Sequence, residues 1–176
     1  QKSEHIDTYA IRLKEVLDTV RYNTGKDKVI LIAHSMGGLV ARRYMQIFGS
    51  DRVDQLIMIG TPNKGIVGGP VNYCSFTGEQ RECDDLTAGS VFMSKLNYGN
   101  VPSIPITNII GTGCLMNGEK GDGVVLERNV ELDGVDNILV RGTCSGLDLV
   151  HTRLLDVDEY PKVYEIIVDT LTDTSP

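Results

Sequence analysis

Ser35 lies in the run Val29-Ile30-Leu31-Ile32-Ala33-His34-Ser35-Met36-Gly37-Gly38-Leu39-Val40-Ala41-Arg42-Arg43-Tyr44, where one apolar pattern stops and another begins. A serine hydroxyl attacks a carbonyl carbon only if a base takes its proton and donors hold the oxyanion that forms. A strand that ends at the serine and a helix that starts immediately after it meet part of this need. The serine then sits strained at the apex, and small residues on either side let the two backbones approach. Ala33 and Gly37 are those small residues, giving A-x-S-x-G, one methyl away from the commoner glycine-first form. Met36 N–H, at the positive end of the helix, is the candidate oxyanion donor. The competing reading is a serine that merely caps an ordinary helix.

The base and the acid that orients it are then sought among few residues. The chain has three histidines, His5, His34 and His151, while Asp84, Asp85, Asp122, Asp133, Asp136 and Asp148 all lie between Ser35 and His151. A neutral imidazole near its own pKa accepts a serine proton, and a carboxylate on its other nitrogen fixes the tautomer.

Positioning these groups requires a scaffold, and the apolar spacing describes one. Residues from about 5–22 place Ile6, Tyr9, Ala10, Leu13, Val16, Leu17 and Val20 on one helical face. After the breaker Asn23-Thr24-Gly25-Lys26-Asp27, residues 28–33 read as a strand buried on both faces, as in a parallel sheet. A helix follows through Leu39, Val40, Tyr44, Ile47 and Phe48 to a stop at Gly49. Further strands are expected over 54–60, 104–110 and 137–140, a short helical piece over 89–96, and a closing helix over 158–171 with Val163, Ile166, Ile167 and Leu171 inward. Alternating strands and helices imply a mainly parallel α/β sheet flanked by helices in a single domain over 1–176. The Gly-rich, polar stretch 63–97 is a candidate cap insertion, with Val91, Phe92 and Met93 either facing an acyl pocket or sealing the core.

With 176 residues the chain supports one domain with a core, and 41% hydrophobic against 23% charged residues excludes a disordered or collagen-like chain. A net charge of −7 without a basic block argues against nucleic acid as a partner. Cys74, Cys83, Cys114 and Cys144 fit no CxxC pattern, so disulfides are expected, the simplest pairing being Cys74–Cys83 and Cys114–Cys144. Disulfides would place the protein outside the reducing cytosol, secreted or extracellular; four buried free thiols are the alternative. No nucleotide-binding glycine loop and no metal-ligand series is present, so no metal or organic cofactor is expected.

These motifs resemble the α/β-hydrolase-fold serine lipases and esterases, most of all the small bacterial class 2 lipases. Besides the elbow, Ile59-Gly60-Thr61-Pro62 is similar to the family's segment after the next strand, and the stretch from Asp85-Leu86-Thr87-Ala88-Gly89 through Asn97 to a recurrent piece of bacterial lipases. Gly121-Asp122-Gly123-Val124-Val125 is similar to the acid-bearing turn. Leu132-Asp133-Gly134-Val135-Asp136-Asn137-Ile138 through His151-Thr152-Arg153-Leu154-Leu155 is similar to the last strand and histidine loop. The resemblance implies hydrolysis of acyl esters or lipids, transient contact with a lipid interface, and an order of serine, acid, histidine along the chain.

In that order the base lies C-terminal to Ser35. His5 opens a helix, and His34 stands beside the serine on the strand with its side chain directed elsewhere, leaving His151 as the base. Asp122, between two glycines after the third strand, is the acid expected, with Asp148 and Asp136 as alternatives. The family's earlier strands and second oxyanion donor precede the position of His5. The expectation is therefore a C-terminal part of a longer enzyme, whose sheet an N-terminal segment or companion chain completes. A non-catalytic binding domain of the same fold remains an alternative, as do a phospholipase, amidase, acyltransferase or polyester hydrolase.

Overall fold

The computed structural model describes residues 4–68, 80–146 and 148–172. Its elements in chain order are α1 (Ile6–Thr24), β1 (Val29–His34), α2 (Met36–Phe48), β2 (Val53–Ile59), α3 (Gln80–Leu86), α4 (Val91–Tyr98), β3 (Ile106–Thr112), β4 (Cys114–Met116), β5 (Glu119–Gly121), α5 (Glu127–Val130), β6 (Asp136–Arg141), α6 (Val150–Arg153) and α7 (Pro161–Thr172). The main sheet runs β1-β2-β3-β6, and each neighbouring pair is parallel. Parallel neighbours need crossovers, and the helices between them supply those.

Alternate residues of β2 show how the sheet is sandwiched. Leu56 and Met58 pack with Ala10, Leu17, Ala41, Tyr44 and Met45, the α1 and α2 side. Ile57 and Ile59 pack with Ile109, Val140, Val163 and Ile166, the α7 side. Each such side chain, fully removed from water, contributes roughly 1.5–3 kcal/mol before entropy is counted. A third cluster, with Ile6, Leu39, Phe92, Met93, Ile110 and Val125, lies apart from these two. Phe92 and Met93 are thus buried, whereas Val91 is 86% exposed.

Several expectations need adjustment. The strand at 28–33 is not buried on both faces: Ile30 and Ile32 are exposed, and β1, an end strand, pairs only with β2 among the described residues. On α1 the buried stripe is narrower than the apolar pattern, comprising Ile6, Ala10 and Leu17, and leaves Val16 and Val20 exposed. The β4–β5 hairpin was not expected. Its signal was in the sequence, since Asn117-Gly118 joins paired Met116 and Glu119 with both turn residues at positive φ, as a two-residue hairpin turn demands.

Polar side chains cross the layers where the backbone is irregular. Buried Asn63 accepts from Arg42 Nη1 at 3.0 Å and donates to the Val130 carbonyl at 2.7 Å. Asn108 donates to that same carbonyl at 2.9 Å and to Asn137 Oδ1 at 2.8 Å, matching the β3–β6 register. Arg42 also donates to Asn97 at 2.8 Å, and burial pushes its pKa down to about 10. Arg43 holds Asp7 of α1 at 2.6 Å, and this bond keeps the Asp7 carboxyl below its ordinary pKa.

Cys114 and Cys144 form a disulfide, as the neighbour pairing anticipated; Cys74 lies outside the described residues. The bond ties the start of β4 to the loop before α6 across a sequence separation of 30. Chain entropy puts its contribution at about 3.5 kcal/mol. The Cys114→Ser/Cys144→Ser double variant is therefore expected to lose about that much unfolding free energy and to unfold at lower urea concentration; an unchanged midpoint would refute this.

Candidate active site

Ser35 directly follows β1 at φ 52° and ψ −129°, outside the regions that side-chain-bearing residues occupy readily. Such a backbone costs on the order of 1–3 kcal/mol and persists where its surroundings over-determine it. Here Ser35 N–H donates to the Ile59 carbonyl at 2.8 Å, and the Ser35 carbonyl accepts from Gly38 N–H at 3.1 Å. Ser35 occupies the N-cap position of α2, yet its side chain makes no capping bond. The hydroxyl instead meets His151 Nε2 at 2.9 Å, which disfavours the plain-cap reading.

His151 is the second residue of α6, a four-residue helix, and is buried. Its Nδ1 lies 2.7 Å from Asp122 Oδ2. A carboxylate only accepts, so Nδ1 carries the proton and Nε2 is free to accept from the serine hydroxyl. Asp122 is completely buried, and every oxygen is engaged: Oδ1 accepts from Val124 N–H at 2.9 Å and from Val125 N–H at 2.7 Å. Its own carbonyl accepts from His151 N–H at 2.9 Å, so the two residues are joined through backbone as well as side chain. Met36 N–H, the first amide of α2, has no acceptor within its helix and lies next to the serine.

The structure thus brings Ser35, His151 and Asp122 into one hydrogen-bonded run, with the Met36 amide beside it. Asp148 pairs with Arg153 at 2.9 Å and is exposed, and Asp136 opens β6 on the surface. His5 sits against Asp85 at 3.2 Å, at the start of α1. His34 was expected to point away, but its Nε2 lies 2.9 Å from the His151 carbonyl, and the two rings are 4.8 Å apart. Burial first, then the neighbouring His151, lowers the His34 pKa, opposed by its bond to the His151 carbonyl and by Asp122. Its adjacency to the serine in sequence says nothing of a partner 117 residues on, so no local signal marked it. Among the described residues there is no group of three or more His, Cys, Asp or Glu able to hold a metal ion, and no helix long and apolar enough to cross a membrane.

Two glycines leave the room this arrangement uses. A Cβ on Gly60, whose φ is +59°, would come within 3.2 Å of His151 Nδ1 and 3.4 Å of Asp122 Oδ2. A Cβ on Gly38 would lie 2.1 Å from buried Thr61 Oγ1, whereas one on Gly37 would only touch Ala33 Cβ at 3.7 Å. The tight approach therefore falls at Gly38, one position beyond the glycine of the motif. Gly38→Ala is expected to lose about 1–3 kcal/mol in urea denaturation, and Gly37→Ala to stay within about 1 kcal/mol of the parent. Equal losses would contradict this packing.

Comparison with known proteins places this geometry in context. Residues 1–82 match the alpha/beta hydrolase fold family. A stretch of 83 residues is 36% identical to the phospholipase A(1) LCAT3 of Arabidopsis thaliana; it makes up 46% of this chain but 18% of that protein's length. Among solved structures, the Bacillus licheniformis lipase BlEst2 in mature form superposes with a TM-score of 0.68 at 19% identity, covering 91% of this chain and 75% of that one. The Paleococcus ferrophilus monoacylglycerol lipase gives 0.62 at 14% identity, covering 99% of this chain and 78% of that one. The chain has the α/β-hydrolase fold, and its resemblance to lipases and esterases extends from motifs to tertiary structure.

Proposed function

We propose that this α/β-hydrolase-fold chain hydrolyses carboxylic acyl esters, as a lipase or esterase, with Ser35 as nucleophile, His151 as general base and Asp122 as the orienting acid. The observation that carries this reading is the bonded run from Ser35 Oγ through His151 to Asp122, at 2.9 Å and 2.7 Å, on a strained strand-to-helix turn. His151 Nε2 takes the hydroxyl proton as Oγ attacks the ester carbonyl, and the Met36 N–H donates to the oxyanion of the tetrahedral intermediate. His151 then returns the proton to the leaving alcohol, giving an acyl-enzyme that water, activated by the same imidazole, hydrolyses. Asp122 keeps the proton on Nδ1 and stabilises the transient imidazolium.

A second reading has its own observation. The relative that is 36% identical is named a phospholipase A(1), which favours a diacyl phospholipid as the ester over a simple glyceride. The likeness of the motifs to class 2 lipases favours the glyceride. The Cys114–Cys144 disulfide supports residence in an oxidising compartment, outside the cell. The unpaired edge of β1, with Ile30 and Ile32 exposed beside it, supports completion of the sheet by a further segment or a companion chain. Contact with a lipid surface would then be transient, made while substrate is drawn in.

Fluorophosphonate labelling tests the assignment directly. The wild-type protein is expected to be labelled at Ser35 and Ser35→Ala not at all; a protein silent in both is a binding domain. Asp122→Asn should lower kcat by about 10⁴ through the wrong imidazole tautomer. Asp148→Asn and Asp136→Asn should stay near wild type, and a large loss in either would move the acid there. Hydrolysis of a panel of p-nitrophenyl esters, a triglyceride and a diacyl phosphatidylcholine separates esterase, lipase and phospholipase.

A further inference from the structure

His34 is the last residue of β1, and its imidazole spans from the strand that carries the nucleophile to the backbone of the residue that takes the nucleophile's proton. A carbonyl oxygen only accepts, so the 2.9 Å contact fixes the His34 proton on Nε2. The His34 and His151 rings lie against each other at 4.8 Å, tilted by 47°. On the other side, α6 is anchored on its apolar side by buried Val150, which packs in the cluster of Ile57, Ile59 and Ile109. It is four residues long, and such a helix has too few internal hydrogen bonds to define its position. Besides the His151 bond to Ser35 itself, its polar ties to the site are the His151 N–H bond to Asp122, the Asp122 carboxylate on the ring, and the His34 bond to the His151 carbonyl. The first two fix His151 relative to the acid. The third fixes it relative to the serine strand.

Resting on the hydrolase reading above, we propose that His34 is a positioning residue, whose Nε2–H, through the His151 carbonyl, sets the distance from the His151 base to Ser35 Oγ and makes the site sensitive to acid. It touches no reacting atom, so its loss acts on the step that needs the serine–imidazole geometry and leaves substrate affinity alone.

Acid sensitivity follows from the same bond. With Nε2 already committed as a donor, a second proton can enter only at Nδ1, producing a cation against the His151 ring. Burial and His151 hold the His34 pKa below the ordinary histidine range, so His34 is neutral at neutral pH and charges only as pH falls through that lowered value. The charged or titratable groups that act on it are His151 on α6 and Asp122 in the turn after β5, while β2 faces it with uncharged Ile59 in register. A cationic His34 opposes the imidazolium that His151 must become. As pH falls the site therefore loses activity to the proton that enters His34.

The experiment compares wild type, His34→Gln and His34→Phe in fluorophosphonate labelling and in p-nitrophenyl ester hydrolysis across pH. Gln places an amide N–H where Nε2 stands; Phe keeps a ring without a donor. His34→Phe is expected to lower kcat about 10–100-fold with KM changed by less than about 2-fold, and His34→Gln to recover most of that rate. The acid limb of log kcat/KM should be steeper in wild type than in His34→Gln, which lacks the titrating ring. Unchanged kcat in His34→Phe, or equal impairment in both variants, overturns the positioning role. Should His34→Phe fail to fold, the limb in His34→Gln decides alone, and one as steep as in wild type overturns the proposal. A wild-type protein that never reacts with the fluorophosphonate overturns the hydrolase reading, and the role of His34 falls with it. Labelling of wild type and His34→Phe at the same rate overturns the inference while leaving the hydrolase reading intact.

Discussion

The backbone of Ser35, held at φ 52° where a parallel strand turns directly into a helix, is the constraint on which the site is built. A side-chain-bearing residue takes that conformation only under compulsion. The compulsion comes from both sides: β2 accepts the Ser35 amide, and α2 begins with Gly38 pressed on buried Thr61, where no methyl fits. Together they leave the hydroxyl without a capping role and turn it to His151. The cost of the turn is borne by the core on either face of the sheet, where Leu56 and Met58 pack under α1 and α2 and Ile57 and Ile59 under α7.

Opposite the serine, Asp122 is removed from water, where a polar group without partners is costly. Two backbone amides from the turn that follows it and the His151 ring give it partners on both oxygens. The hairpin before it and the Cys114–Cys144 disulfide beside it connect the acid's turn with the loop leading to α6. Asp122 and His151 are therefore joined through both side chain and backbone.

Away from the site, asparagines do the work that regular backbone pairing does elsewhere. Asn63, Asn108 and Asn137 run from the loop after β2 across β3 to β6, converging on the Val130 carbonyl and the 132–137 turn. Buried amides stabilise only when their donors and acceptors are matched, and those of buried Asn63 and Asn108 are. Arg42 closes the run on α2 without a carboxylate, its guanidinium shared between two asparagines. Irregular loops thus leave the sheet in fixed directions.

Much of this was legible in the chain itself. The apolar spacing gave β2, β3, β6 and α7 within a few residues, and the strand–serine–helix run marked Ser35, because local sterics and hydrophobic period act over neighbouring residues. Asn117-Gly118 is a local hairpin signal of the same kind. Other features depend on partners far along the chain. Asp122 could be preferred over Asp136 and Asp148 by its place in the order, but its burial and its bond to His151 arise only when β3, β5 and α6 are assembled. The same holds for the tight packing at Gly38 rather than Gly37, for the exposure of Ile30 and Ile32, and for the reach of His34 to the His151 carbonyl. The sequence by itself determined which residue types stand at the bend and in what order the polar groups follow. Only the tertiary structure decided which of them meet, since hydrogen bonds act over about 3 Å and a linear chain holds no information on distances between residues a hundred positions apart until the sheet brings them together.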